Sequence, residues 1–309
     1  MIEVLIRVLP FFALIGVGYL SGRSSFLSEE GVAAITKFVF YFALSAMLFK
    51  FASNLSLSEI YSTPFVLAYL SGTTTVYLLA YAVAMLRKVS RAEAAVEAQC
   101  AVIGNTGFLG VPLLIALLGP KAAGPELMVL TIDLFVFSSV ITILITAARE
   151  GRVHWRILGT LGMGLLKNPM IVSMGLGVLW SVTGWPVPRP INDFMGILGG
   201  AATPGALFAI GASLAARSAE RLEVAGWLSF CKLVLHPTAV AIAALLVFPV
   251  DRFAAHVMVA AASLPVAGNT YILAQHFRVA PQRVSASILV STAISVLTVS
   301  AVLAWITAA

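Results

Sequence analysis

The triplet Gly-Asn-Thr occurs twice in this chain, each time inside an apolar run long enough to cross a bilayer. Gly104-Asn105-Thr106 lies in Ala101-Val102-Ile103-Gly104-Asn105-Thr106-Gly107-Phe108-Leu109-Gly110-Val111-Pro112. Gly268-Asn269-Thr270 lies in Leu264-Pro265-Val266-Ala267-Gly268-Asn269-Thr270-Tyr271-Ile272-Leu273. Glycine, proline and a primary amide stand where a simple membrane helix would carry Leu or Val. Amides and unpaired backbone groups in hydrocarbon cost several kcal/mol unless they are satisfied. Non-helical backbone at that depth survives only inside protein or beside a water-filled cavity. Paired Gly/Pro-interrupted spans in two halves of a chain point to a transporter binding site.

Composition agrees with a bilayer protein. Hydrophobic residues fill 60% of the 309 positions and charged residues 10%, against roughly 25% charged in soluble domains. The net charge of +6 comes with no basic cluster interleaved with aromatics, so nucleic acid is not an expected partner. Cys100 and Cys231 sit in apolar spans without C-x-x-C or metal-ligand spacing and read as packed thiols. The first apolar stretch carries Glu3 and Arg7, with no small-residue cleavage pattern before Arg23, and reads as a retained span.

A span needs about 20 mainly apolar residues. Ten candidates emerge, at roughly 3–21, 32–52, 63–86, 94–118, 125–148, 166–184, 191–214, 225–248, 253–276 and 283–306. Turn signals separate them: Ser21 to Ser25, Ser53 to Ser56, Leu118-Gly119-Pro120 and Trp185 to Pro190. The polar stretch Arg149 to Arg156 marks the midpoint. Lys and Arg concentrate after odd-numbered spans, at Arg87, Lys88, Arg91, Arg149, Arg152, Arg156, Arg217 and Arg221 among others. That bias places those loops in the cytoplasm and both termini outside, in the inner (plasma) membrane.

The expected fold is therefore an all-α integral membrane protein of ten transmembrane helices. Asn105 falls in span four and Asn269 in span nine, so five crossings separate them and the second half enters the membrane from the opposite side. Two inverted five-helix repeats follow, with broken, crossing helices four and nine.

A broken helix offers free N–H groups and a partial positive charge at the start of its second half, which suits an anion. Its loosened carbonyls suit a cation or proton donor. Should the breaks cross, Asn105 and Asn269 come together as amide donors and acceptors. Thr106 and Thr270 add hydroxyls, and Gly104, Gly107 and Gly268 permit close backbone approach. Pro112 and Pro265 remove helix hydrogen bonds nearby. The plainer alternative is that these polar groups only join two kinked helices.

The run Gly104 to Leu113 resembles the fourth-span signature of the auxin efflux carrier family, which includes bacterial permeases associated with malonate, malate and other organic acids. Leu264 to Ala274 resembles the ninth-span counterpart, and Lys232 to Pro237 and Lys167-Asn168-Pro169 resemble further family patterns. Ser45 stands where related chains often have Pro. The resemblance implies a scaffold (1–62 and 155–222) holding spans one, two, six and seven. It implies a moving crossover domain (63–150 and 223–309) holding spans three to five and eight to ten. It also implies a homodimer, a lipid-embedded chain, and Asn residues lining the substrate site. The absence of a long cytoplasmic loop matches the short microbial type.

Asp133 is the only acid deep in a predicted span, and intramembrane acids often mark ion or proton paths. Lys232 is its candidate partner or an attractor of anionic substrate; the rival reading has it snorkelling to the cytoplasm. His236, before Pro237, reads as a hydrogen-bonded structural histidine or a proton shuttle. Glu97 reads as interfacial, and Gln99 as a possible neighbour of the same cavity. There is no H-E-x-x-H, no G-x-S-x-G and no pair of acids on one helix face, so no enzyme, metal site or cofactor is expected. The expectation is an elevator-type carrier for a small carboxylate, proton-linked or uniport. A sodium-coupled symporter of the bile acid type, with Na+ in place of H+, is the alternative.

Overall fold

The computed structural model describes residues 2–55, 61–150, 156–216 and 222–308. All regular structure there is helical: α1 (Ile2–Arg23), α2 (Glu29–Ser53), α3 (Thr63–Leu86), α4 (Arg91–Val102), α5 (Thr106–Leu118), α6 (Pro120–Arg149), α7 (Arg156–Leu166), α8 (Pro169–Val182), α9 (Arg189–Ala215), α10 (Leu222–Val247), α11 (Arg252–Ala262), α12 (Gly268–His276) and α13 (Pro281–Ala308). Seven of these, α1, α2, α3, α6, α9, α10 and α13, are long and apolar enough to cross a membrane. The other apolar stretches are interrupted: α4/α5, α7/α8 and α11/α12 each split one run into two helices.

Local chemistry sets the boundaries. The Ser28 hydroxyl accepts from Gly31 N, and Asp251 caps α11 by accepting from Ala254 N. Ser90 and Glu93 form a reciprocal capping box at the start of α4. Gly119, at φ 88°, makes the left-handed turn between α5 and α6 that a residue with a Cβ would resist. The sixth apolar run differs from the expected single span over 166–184. The Asn168 side chain accepts from Met170 N and Pro169 opens α8, so Arg156–Leu166 forms a separate helix ahead of it. Arg152, Arg217, Arg221, Ser56 and the centre of the expected polar midpoint (151–155) lie outside the described residues.

Two groups of helices pack tightly. In one, Gly18 of α1 lies against the backbone of Phe208 on α9, and Gly211 of α9 against that of Ile15. Gly177 of α8 meets Ala52 and Phe49 of α2, and Gly199 of α9 meets Met47. Small residues bring backbones this close where lipid supplies no hydrophobic drive between helices. In the other group, Gly72 of α3 lies against Val240 of α10, and α3, α4, α10, α11 and α13 share one core. The groups meet where Leu44, Leu48 and Met170 pack on Val111, Leu127 and Leu130, and where Val8, Phe12 and Ile15 of α1 join the core of the second group. There the Phe40 and Phe108 rings stack parallel at 5.9 Å. Leu86, Ile197 and Leu246 lie outside, about four-fifths exposed (81%, 81% and 79%). Such an outward apolar surface suits lipid rather than water.

Candidate functional site

The fourth-run helix stops at Val102 and resumes at Thr106; the ninth stops at Ala262 and resumes at Gly268. Between those ends the two segments run antiparallel. Asn105 N donates to Pro265 O at 2.8 Å and Ala267 N donates to Ile103 O at 3.0 Å, around a bridge between Gly104 and Val266. Val266 N donates to Ser291 Oγ of α13 at 3.1 Å. The backbone freed by the breaks thus finds partners inside the protein, as non-helical chain at membrane depth must.

The crossing sorts charge. The N-termini of α5 and α12 begin there, each with unpaired N–H groups and a partial positive charge. The C-termini of α4 and α11 end there with the opposite sign. Lys232 of α10 fills the negative side: its Nζ donates to Ala262 O at 2.5 Å and lies 3.2 Å from His236 Nδ1. Lys232 is fully buried, so the snorkelling reading is overturned. The ammonium is held inward because a helix-end carbonyl and an imidazole await it. His236 Nε2 is 3.0 Å from Thr73 Oγ1, which makes this histidine hydrogen-bonded on both sides.

Asp133 lies on α6 and is 2% exposed; its Oδ1 accepts from the Tyr69 hydroxyl at 2.8 Å, and its Oδ2 has no hydrogen-bond partner. The Tyr69 ring meets that of His236 edge-on at 5.9 Å. Asp133, Tyr69, Thr73, His236 and Lys232 therefore form a polar seam through α6, α3 and α10. Asp133 opens a wide π-helical turn, and Thr106 and Lys232 lie in two others. Such turns recur at functional positions because they redirect side chains within a helix.

The sequence-selected residues are distributed as follows. Asn105 sits in the break, 8% exposed, and its carbonyl accepts from both Leu109 N and Gly110 N. Thr106 is buried in the first turn of α5. Gly104 lies under Lys232: a Cβ there would be 3.2 Å from Ala261 O and 3.3 Å from Lys232 Nζ. Gly107 faces Met170 of α8, whose Cε would be 2.7 Å from an added Cβ. Gly268 and Asn269 are half-buried at the start of α12, and Thr270 is buried. Asn269 Oδ1 and Thr270 Oγ1 have no hydrogen-bond partner. Pro265 is in the ninth-run gap, whereas Pro112 sits inside α5 just after its π-helical turn. Ser45 Oγ donates to Phe40 O in α2.

Two expectations need correcting. Asp133 is not the only deep acid, and α6 does carry two acids on one face. Glu126, two turns before Asp133, is fully buried with neither carboxyl oxygen hydrogen-bonded. The signal was present in the seven-residue spacing. It was hidden because Gly124-Pro125 reads as the edge of a span, while the helix starts at Pro120. Glu97 is 1% exposed and clamped by Arg87 and by Arg283, the latter at 2.6 Å. Burial and the neighbouring Arg283 pull the Arg87 pKa below that of a free guanidinium. Gln99 is buried with Oε1 unpartnered. Cys100 and Cys231 are buried free thiols. Among the described residues no three His, Cys, Asp or Glu side chains gather as metal ligands would.

A family model described as membrane transport protein matches residues 3–303. The chain is 32% identical over 307 residues to the "Putative malonate transporter" of Rhizobium meliloti (strain 1021), covering 98% of this chain and 96% of that one. It is 26% identical over 291 residues to the "Uncharacterized transporter YfdV" of Escherichia coli (strain K12), covering 92% and 91%. The family and these relatives are transporters rather than enzymes, as the sequence led us to expect. The chain belongs to the membrane transport protein family, the group of auxin efflux carrier-like membrane transporters.

Proposed function

We propose that this protein is a secondary carrier for a small organic anion, with the anion bound where the two breaks cross. The observation that carries this reading is the antiparallel pairing of the breaks. It sets two helix N-termini and two Gly-Asn-Thr triplets together, with Asn269 Oδ1 and Thr270 Oγ1 unpartnered. A carboxylate would be held by the first N–H groups of α5 and α12, the amides of Asn105 and Asn269, and the hydroxyls of Thr106 and Thr270. Gly268, where an added Cβ would meet nothing within 4 Å, leaves its approach open, whereas Gly104 and Gly107 are already covered by Lys232 and Met170. The similarity to a protein named as a malonate transporter supports a small dicarboxylate.

In this reading the chain forms ten spans as two inverted repeats. Ile103 and Ala267 each precede a triplet and face each other across the bridge, as a two-fold axis in the membrane plane requires. Residues 1–62 and 155–222 form the scaffold, dimerising with a second copy; residues 63–150 and 223–309 move as the transport domain. The Phe40–Phe108 stack and the Met170–Gly107 contact lie on the sliding surface. Alternating access is of the elevator type, in the plasma (inner) membrane, with both termini outside.

Lys232 supports proton-linked transport or uniport over the sodium-coupled alternative. A coupling cation would seek the carbonyl ends of the broken helices, and the Lys232 ammonium already bonds the Ala262 carbonyl. The test is a thermal-shift screen of detergent-purified protein against mono- and dicarboxylates, with and without sodium. Ligand far above its dissociation constant stabilises by about 3 kcal/mol. Malonate should raise the melting temperature without sodium; a shift that needs sodium would favour the symporter, and no shift with any acid would sink the substrate class.

A further inference from the structure

Glu126 has no role in the scheme above, yet it borders both breaks. It projects from α6 onto Gly110, five residues past Asn105 in the fourth apolar run. A Cβ on Gly110 would overlap Glu126 Oε1 and lie 2.7 Å from Leu264, which directly precedes Pro265 in the ninth. Glycine at 110 is what leaves room for the carboxyl group. Glu126 is fully buried, and neither oxygen has a hydrogen-bond partner.

A carboxylate in this place would be a bare charge in an apolar wall. Ionised acids at such depth need a counter-ion or several donors, and Glu126 has none. The titratable groups facing it are Asp133, on the same face of α6, whose charge disfavours a second one, and Tyr69 of α3, a neutral phenol whose hydroxyl is already donated to Asp133. Elsewhere on the packed elements, His256 of α11 meets the Trp305 ring, Lys50 of α2 faces Gly196, and Lys232 is committed to Ala262 and His236. The packing therefore accommodates the neutral acid. Glu126 and its surroundings, α5 and the 263–267 link, all belong to the crossover domain that the carrier reading sets in motion.

We propose that Glu126 is a proton-binding site of this protein: it holds a proton in the closed packing seen here and releases it when the crossing opens to water. Asp133 differs because Tyr69 donates to it and Lys232 lies nearby. The coupling of that proton to substrate rests on the carrier reading; the site itself does not.

The test joins a spectroscopic and a transport measurement on the full chain. Infrared difference spectra of purified protein, acid minus alkaline, should contain the carbonyl stretch of an un-ionised carboxylic acid. Glu126→Gln should remove one component of that band and Glu126→Asp should restore a shifted one. Persistence of the whole band in Glu126→Gln overturns the proposal. In proteoliposomes, Glu126→Gln should keep exchange of radiolabelled for unlabelled malonate within about two- to threefold of the native chain. It should lose malonate accumulation driven by an inward proton gradient. Undiminished gradient-driven accumulation in Glu126→Gln overturns the coupling role. Should Glu126→Gln fail to fold, Glu126→Asp carries the test: a carboxyl band unmoved by this change overturns the site. A native chain that shows the Glu126 band but exchanges no carboxylate retains the proton site and removes the substrate reading instead.

Discussion

The same three residues, Gly-Asn-Thr, occupy two breaks and do different things in them. In the fourth run the break is short and the triplet straddles it: Gly104 is bridged, Asn105 lies in the gap, and Thr106 opens α5. In the ninth run the break is longer and the triplet lies wholly inside α12, behind Ala267 at the cap position. Asn105 is consequently locked by its backbone, donating to Pro265 and accepting from Leu109 and Gly110. Asn269 is half-buried with an unpartnered side-chain oxygen. One break is built as structure, the other keeps polar groups unspent. Identity of sequence at equivalent places does not give identity of role when the helix starts at a different residue.

The largest effect should come from a side chain that bonds one break and covers the other. Lys232 bonds Ala262 in the ninth and covers Gly104 in the fourth. Lys232→Met strands a helix-end carbonyl, the His236 nitrogen and the nearby Asp133 charge. Hydrogen bonds to charged groups and half-broken buried charge systems are each worth about 3 kcal/mol. Thermal or denaturant unfolding in detergent should show a loss of about that size, with transport abolished. A variant as stable as the native chain would mean that the ammonium does not hold the crossing together.

The amide comparison comes next and separates binding from folding. Asn269→Ala removes a side chain with unmet hydrogen bonds, so substrate affinity should fall by roughly tenfold to a hundredfold, the worth of one or two hydrogen bonds to a charged ligand. Its melting temperature without ligand should hardly move. Asn105→Ala should also weaken binding while leaving the protein folded, because the backbone bonds of Asn105 survive the change. Malonate titration by calorimetry decides this: normal affinity in both variants would remove the crossing as the substrate site.

How much of this could be read in advance follows the same division. Glycine, proline and asparagine in apolar runs are visible to anyone counting residues, so the breaks and most helix ends were legible; α3 was expected at 63–86 and is Thr63–Leu86. The partners of buried charges were not. Hydropathy gives Lys232 a depth but no direction, and its inward turn depends on Ala262, thirty residues away. Glu126 was lost because Gly124-Pro125 looks like a span edge in one dimension. Helix α6 runs through those residues from Pro120, its first turn being 3₁₀. Pairing that is local in space but distant in sequence leaves no periodic trace. The register of each triplet against its helix was equally hidden, because the antiparallel pairing fixes it.

The two triplet glycines sharpen the contrast at a smaller scale. A Cβ on Gly104 would press on the Ala261 carbonyl and the Lys232 side chain, and the former is backbone that cannot swing aside. Gly104→Ala should cost about 1–3 kcal/mol, the usual range for overpacking. A Cβ on Gly268 would meet nothing within 4 Å, and its position at the start of α12 accepts alanine. Gly268→Ala should stay within about 0.5 kcal/mol of the native chain. Equal losses in the two variants, measured side by side by unfolding, would break the claim that the fourth break is the tighter of the two.

The smallest effect probes what holds the longer gap. The ninth-run link is not self-sufficient: Val266 N is buried, and its donor reaches Ser291 Oγ on α13. The fourth-run gap has no such side-chain support, since Asn105 N finds a backbone carbonyl instead. Ser291→Ala leaves the Val266 N–H without its partner inside the protein, a penalty of about 1–2 kcal/mol. Ser291→Thr keeps the hydroxyl and should recover most of it if the added methyl fits. The loss should be local, so hydrogen exchange at Val266 and its neighbours should accelerate more than at Asn105. Uniform acceleration across both breaks would show that they open as one unit, and that the difference between them ends at the static structure.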